Sequence, residues 1–182
     1  MKNILIVIDM QNGFARQEQT KGLSRKIEKL LDSHIFDVVI GTRFLNSDNS
    51  MYEKLFDWTR LKTEEERTIP DNLIKHMDYV EDKYIYNCVN SNFIQRLCQL
   101  NDGEFPEKVC IAGMDTDCCV LTIATAMFEY NIRPIVLTEY CASNGGLESH
   151  TAGIICMKRL IGEKQLVEGE IASKEKLKEI VS

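Results

Sequence analysis

The chain has few prolines and few histidines, 3 of each in 182 residues, and a single tryptophan. So little proline leaves no composition for an extended Pro-rich linker. With 44% hydrophobic and 27% charged residues, a disordered or collagen-like chain is excluded as well. Long apolar runs are missing. The first, Ile4 to Ile8, stops at Asp9, far short of the roughly 20 residues of a membrane span and too short for a signal peptide. No membrane partner is expected, and the reading is cytoplasmic. Basic residues are not in excess either: 22 Lys and Arg against 28 Asp and Glu give a net charge of -6. That argues against a nucleic-acid partner, because phosphate binding draws on clustered cations. The length suits one domain over residues 1–182 with a substantial core.

Cysteine is present in an odd number, 7. No CxxC pair occurs, and no histidine stands at zinc-finger spacing. Cytosolic thiols are mostly reduced, so a disulfide framework is not expected. Cys98, Cys110 and Cys156 fall in apolar stretches and read as small buried hydrophobes.

The remaining pattern alternates strands with helices. Apolar strand candidates lie at residues 3–8, 36–41, 108–113 and 133–138, with short candidates at 79–83 and 165–167. Helices are predicted from a Ser24 cap through Leu31, over 91–100 with Phe93, Ile94, Leu97 and Cys98 inward, over 117–130, over 147–161, and after a Ser173 cap. Strands apolar throughout, alternating with helices, predict a parallel α/β sheet covered on both faces. The ligand crevice of such a sheet lies beyond the carboxyl ends of its strands. Asp9, Arg43, Lys83 and the segment Met114 to Cys119 stand at those ends.

Asp9, Lys83 and Cys119 are chemically complementary. Thr116 suits an N-cap, which would make Asp117, Cys118 and Cys119 the first helical residues. A thiol there faces free N–H groups and the positive end of the helix dipole, so a lowered pKa is expected. Asp9 could take the thiol proton and pass it to a leaving amine. Cys118 sits about 100° further round a helix, so the two thiols cannot share one position. Three readings stay open on these residues: a hydrolase, a non-catalytic ligand-binding α/β protein, and a thiol-redox protein using Cys118 and Cys119.

Three stretches carry a resemblance: Ile6-Val7-Ile8-Asp9-Met10-Gln11-Asn12-Gly13-Phe14, Asp82-Lys83-Tyr84, and Gly113-Met114-Asp115-Thr116-Asp117-Cys118-Cys119-Val120. In order and separation, from Ile4 to about Leu166, the chain resembles the isochorismatase-like cysteine hydrolases, which include nicotinamidases and N-carbamoyl amide hydrolases. The resemblance implies a three-layer α/β/α fold with a mainly parallel six-stranded sheet. It implies an Asp-Lys-Cys triad at Asp9, Lys83 and Cys119, with Cys119 rather than Cys118 as nucleophile. It implies a cis peptide at Met114–Asp115, with the N–H groups of Asp115 and Cys119 receiving an oxyanion, and a homo-oligomer, dimer or tetramer.

The chain also departs from its relatives. Nicotinamidases of the family bind a divalent metal through a His-containing segment after the second strand. Here that segment reads Thr42-Arg43-Phe44-Leu45-Asn46-Ser47-Asp48, without histidine. No metal and no cofactor are therefore expected. Isochorismatases proper lack the nucleophilic cysteine, so Cys119 points away from vinyl-ether hydrolysis. Arg43 could reach a substrate carboxylate. Gln11 could hold Asp9 or a substrate. Residues 43–70 could fold over the crevice as an aromatic lid, with Phe44 and Trp58 as walls beside Phe14. The expectation is a metal-independent hydrolase acting on a C–N bond of a small-molecule amide or carbamoyl substrate.

Overall fold

The computed structural model describes residues 2–171 and 173–181. Its strands are β1 (Ile4–Ile8), β2 (Val38–Phe44), β3 (Tyr79–Lys83), β4 (Lys108–Met114), β5 (Arg133–Ala142) and β6 (Leu166–Val167). They form one six-stranded sheet in the order β3-β2-β1-β4-β5-β6, and every pairing is parallel. The helices are α1 (Glu18–Asp32), α2 (Met51–Phe56), α3 (Glu64–Arg67), α4 (Asp71–Ile74), α5 (Ser91–Leu100), α6 (Leu121–Glu129), α7 (Gly146–Leu160) and α8 (Lys174–Val181).

Strand β1 is apolar at every position because both of its faces are covered. Ile4, Ile6 and Ile8 join one core with Phe93 and Leu97 of α5, Ile123 and Met127 of α6, and Met157 of α7. Leu5 and Val7 join the other with Leu23, Ile27 and Leu30 of α1, Leu73 of α4 and Leu177 of α8. The alternation is the two-residue period of extended backbone. The architecture is three layers, α/β/α, as the strand and helix pattern predicts.

Several local expectations are corrected. Ser24 lies inside α1, which starts a turn and a half earlier, where the Gln17 N–H donates to Thr20 Oγ1 at 3.0 Å. Burial of Thr20 and Leu23 against the sheet extends the helix beyond the stripe of Ile27, Leu30 and Leu31. Strand β2 runs three residues past Gly41, and β5 runs on to Ala142. Cys156 is exposed and Cys98 half-buried; in α7 it is Gly153 and Met157 that turn inward.

The chain reverses its direction of sheet growth between β1 and β4, which opens a crevice at their carboxyl ends. Gly113 brings these strands close. Its φ is +121°, and a Cβ there would lie 2.2 Å from the Ile8 carbonyl oxygen. Only glycine fits that approach.

Candidate active site

Asp9 follows β1 and is fully buried, with a φ of 51°. Its N–H reaches Thr42 O at 3.2 Å and Thr42 Oγ1 at 3.1 Å. The Thr42 hydroxyl in turn donates to Asp9 Oδ1 at 2.6 Å. That leaves Oδ2 toward Lys83, whose Nζ lies 2.7 Å away in an ion pair. The ion pair is not aligned as a hydrogen bond to Oδ2. Lys83 ends β3, two strands from β1, and pairs in register with Phe44. Its long stem crosses that distance, and Nζ passes 5.0 Å from the Phe44 ring centre. The same Nζ stands 3.2 Å from Cys119 Sγ. The three side chains expected at the strand ends therefore meet, and all are shielded from water: 0% exposed for Asp9, 3% for Lys83 and 4% for Cys119.

Cys119 sits in a π-helical turn, Thr116–Val120, between β4 and α6. The expected Thr116 cap is not there. Asp115 holds the cap position, and its carbonyl accepts from the N–H groups of Cys118 and Val120, both at 3.1 Å. Thr116 Oγ1 is instead 2.7 Å from His150 Nδ1 of α7. The peptide bond between Met114 and Asp115 is cis, at the position the resemblance implies.

The lowered thiol pKa expected for Cys119 is also corrected. Burial pushes the Cys119 thiol well above its ordinary value, and the Asp9 carboxylate adds to this, while Lys83 opposes it. Burial disfavours a thiolate more than a helix start favours it. Burial also works against the Lys83 ammonium, but the Asp9 carboxylate beside it offsets this and holds Lys83 protonated. In the free protein the site is an Asp9–Lys83 ion pair beside a neutral thiol.

Above Cys119 opens a cavity of about 210 Å³, lined by Phe14, Phe44, Tyr52, Phe56, Trp58 and Tyr86, with Arg16, Asp115, Cys118 and Asn144. Phe14 stacks on Trp58 at 5.9 Å, and Tyr52 meets Phe44 and Tyr86 edge-on at 5.1 and 5.2 Å. Phe44, Trp58 and Phe14 thus line the crevice as expected. Tyr52 and Phe56, aromatics of the 43–70 stretch, join them in the wall, as does Tyr86, which no sequence feature marks. The four-residue spacing of Tyr52 and Phe56, which puts both on one side of a helix, was the available signal.

Two pocket expectations fail. Arg43 makes a two-pronged ion pair with Asp82, Nε to Oδ1 at 2.7 Å and Nη2 to Oδ2 at 2.9 Å, and does not line the cavity. Side chains alternate along a strand, so Arg43 points away from its neighbours Thr42 and Phe44. Gln11 is buried and binds backbone: it accepts from Phe44 N at 2.7 Å and donates to Phe44 O and Arg67 O, both at 3.0 Å. Its side chain touches neither the Asp9 carboxylate nor the cavity, although its backbone N–H donates to Asp9 O at 2.7 Å. The side chain clamps the end of β2 to the backbone of Arg67 in α3.

The segment Thr42 to Asp48 does not fit a metal centre. Phe44 is part of the aromatic wall. Asn46 has its amide engaged, with Nδ2 donating to Trp58 O at 3.1 Å and Arg60 O at 3.0 Å, and Oδ1 accepting from Ser50 Oγ at 2.7 Å.

No curated protein matches the sequence. Among solved structures the fold resembles an isochorismatase-like hydrolase from Alkaliphilus metalliredigens, at 16% identity and a TM-score of 0.77, covering 100% of both chains. It resembles a nicotinamidase from Bacillus subtilis at 22% identity and a TM-score of 0.72, over 93% of this chain and 100% of that one. A pyrazinamidase/nicotinamidase from Streptococcus mutans aligns at 19% identity and a TM-score of 0.68, over 91% of this chain and 99% of that one. The isochorismatase domain family model matches residues 3–166, which is most of the chain and includes Asp9, Lys83 and Cys119, so the chain belongs to the isochorismatase family of hydrolases.

Proposed function

We propose that residues 1–182 form one hydrolase domain that cleaves a C–N bond of a small amide or carbamoyl compound through a thioester on Cys119. The observation that carries this reading is the Lys83 ammonium lying 2.7 Å from Asp9 and 3.2 Å from Cys119 beneath an aromatic cavity. The names of the nicotinamidases that share the fold support an amide as the bond class.

Cys119 Sγ attacks the carbonyl carbon while its proton moves to Asp9. A neutral resting thiol requires this coupling, since no thiolate is stored beforehand. The carbonyl electrons move onto oxygen, and the N–H groups of Asp115 and Cys119 are the donors assigned to that oxyanion. Asp9 then gives its proton to the departing nitrogen, the C–N bond breaks, and the thioester remains. A water molecule loses a proton to Asp9 and adds to the thioester. The acid leaves as the proton returns to sulfur. Lys83 keeps its charge throughout and holds Asp9 and Cys119 in register. Every proton and electron pair comes from substrate, water and these side chains, so the reaction as written needs no metal and no cofactor.

Residues 43–70 serve as the cover of the crevice in this reading, supported by the Phe44, Tyr52, Phe56 and Trp58 wall. A cytoplasmic setting is supported by seven free cysteines. A homo-oligomer is supported by the exposed Met51, Leu55 and Phe56 of α2.

The test is intact-mass spectrometry after mixing the protein with a panel of small amides and ureas. A transient acyl adduct on Cys119 is expected, with release of the amine. Cys119→Ala should stay folded and form no adduct. Undiminished turnover by Cys119→Ala would overturn the proposal.

A further inference from the structure

The cavity over Cys119 carries charge that the reaction above does not use. Asp115 contributes its carboxyl to the lining. Its Oδ1 accepts from the backbone N and from Nδ2 of Asn144, both at 2.9 Å. Burial pushes this carboxyl up to about 6, and the charges of Asp117 and Asp9 push in the same direction against the two Asn144 hydrogen bonds. Asp115 is thus the carboxyl that lines this small space, and the buried cation, Lys83, is committed to Asp9 and Cys119. Arg16 stands exposed at the rim, where solvent and salt screen it. The wall is aromatic on several sides, and ring faces attract cations.

We infer that Asp115 and the aromatic wall form a subsite for a cationic nitrogen, so that the substrate is a small amide carrying an ammonium group. The inference rests on the hydrolase reading for the word amide, but the subsite itself is a binding claim. It assigns the Asp115 side chain a role in selecting substrate, separate from its backbone N–H and from its hold on the Asn144 turn.

Trp58 makes the test direct. It is the one tryptophan of the chain and it lines the cavity, so its fluorescence reports occupancy. The probes are benzyltrimethylammonium, benzyl alcohol and benzoate, titrated into the whole protein at pH 7.5. The ammonium probe should bind about tenfold tighter than the alcohol, a ratio within reach of a cation–ring contact plus a carboxylate, and benzoate should bind weakest. Asp115→Asn keeps an oxygen for the Asn144 hydrogen bonds but removes the charge, so it should abolish most of the preference and leave the alcohol unchanged. In the unmodified protein the preference should fade as pH drops through about 6, with Asp117, Asp9, Lys83, Tyr52, Tyr86, Arg16 and the Cys118 and Cys119 thiols as the other titratable groups nearby. In Asp115→Asn that fading should be absent. Equal binding of cation and alcohol, or a preference that survives in Asp115→Asn, overturns the subsite. Because no turnover is measured, either result stands apart from the acyl-adduct test. A missing adduct sinks the hydrolase reading, and a missing cation preference sinks the subsite alone.

Discussion

The Thr42 hydroxyl decides which oxygen of Asp9 is free to act. It donates to Oδ1 at 2.6 Å inside a fully buried pocket, so Oδ2 is the oxygen left for Lys83 and the thiol proton. Thr42→Val keeps the shape but removes that donor. An unsatisfied buried carboxylate oxygen costs about 1.5–3 kcal/mol, and the carboxylate is free to rotate. We predict that turnover falls about ten- to a hundredfold with little change in KM, and that Thr42→Ser restores it. Unchanged turnover in the valine variant would show that Lys83 alone orients Asp9. At this scale the sequence was readable where a residue's role follows from its position. Asp9, Lys83 and Cys119 stand at strand ends, and the topology brings strand ends together. Gln11 and Arg43 stand at strand ends too, but their partners are a backbone carbonyl of Arg67, 56 residues away, and the neighbouring Asp82. Nothing in residue type separates a guanidinium facing a substrate from one facing a neighbouring carboxylate.

The elements around the site show the same division. Apolar runs announced β1, β2 and β4, because a strand buried on both faces has no other composition available. The π-helical turn of Thr116–Val120 had no such announcement. It packs against α7 and the loop that leads into it, which arrive more than 20 residues later. Thr116 Oγ1 meets His150 Nδ1, Ser143 Oγ donates to Asp117 Oδ1 at 2.5 Å, and a Cβ on Gly153 would lie 2.8 Å from Asp117 Cα. Helix and turn therefore touch backbone to backbone. Gly153→Ala must push them apart, at an overpacking cost of about 1–3 kcal/mol. Because Cys119 is carried on that turn, we predict a loss of turnover larger than the loss of stability explains, with Cys119 alkylation by iodoacetamide altered alongside the urea midpoint. Gly22→Ala is the control. A Cβ there meets nothing within 4 Å, so inside α1 it should stabilise by about 0.5–1 kcal/mol and leave alkylation as it was. Equal alkylation rates in the two variants would remove α7 from the positioning of Cys119.

Across the whole molecule, the cysteines set how stability responds to alkali. Burial pushes Cys88, Cys110 and Cys141 up to about 12 and Cys119 well above the ordinary thiol value. In the unfolded chain the same thiols titrate near 8.5. Below that pH both states hold these protons, and the thiols contribute fully to stability. As pH rises from about 9 toward 12, the unfolded chain releases protons that the native chain keeps, so stability is lost. Lys83, held above its ordinary value, adds loss of the same sign at the upper end of that range. Each retained proton steepens the decline by about 1.4 kcal/mol per pH unit, so the four buried thiols give a limiting slope of about 5 kcal/mol per pH unit, and half-buried Cys118, also pushed up to about 12, adds loss of the same sign. Against a typical total stability of about 5–15 kcal/mol, that slope unfolds the protein within a few pH units above 9. Urea midpoints under reducing conditions at pH 8, 9.5 and 10.5 would trace it. Cys110 packs in the core on the α1 side of the sheet, whereas Cys119 belongs to the opposite core. Cys110→Ala should therefore lower stability at pH 8 by the loss of its buried sulfur and reduce the alkaline slope by about one proton. A slope identical to that of the unmodified protein would mean that the native chain releases the Cys110 proton as readily as the unfolded one, and that buried thiols do not govern its alkaline limit.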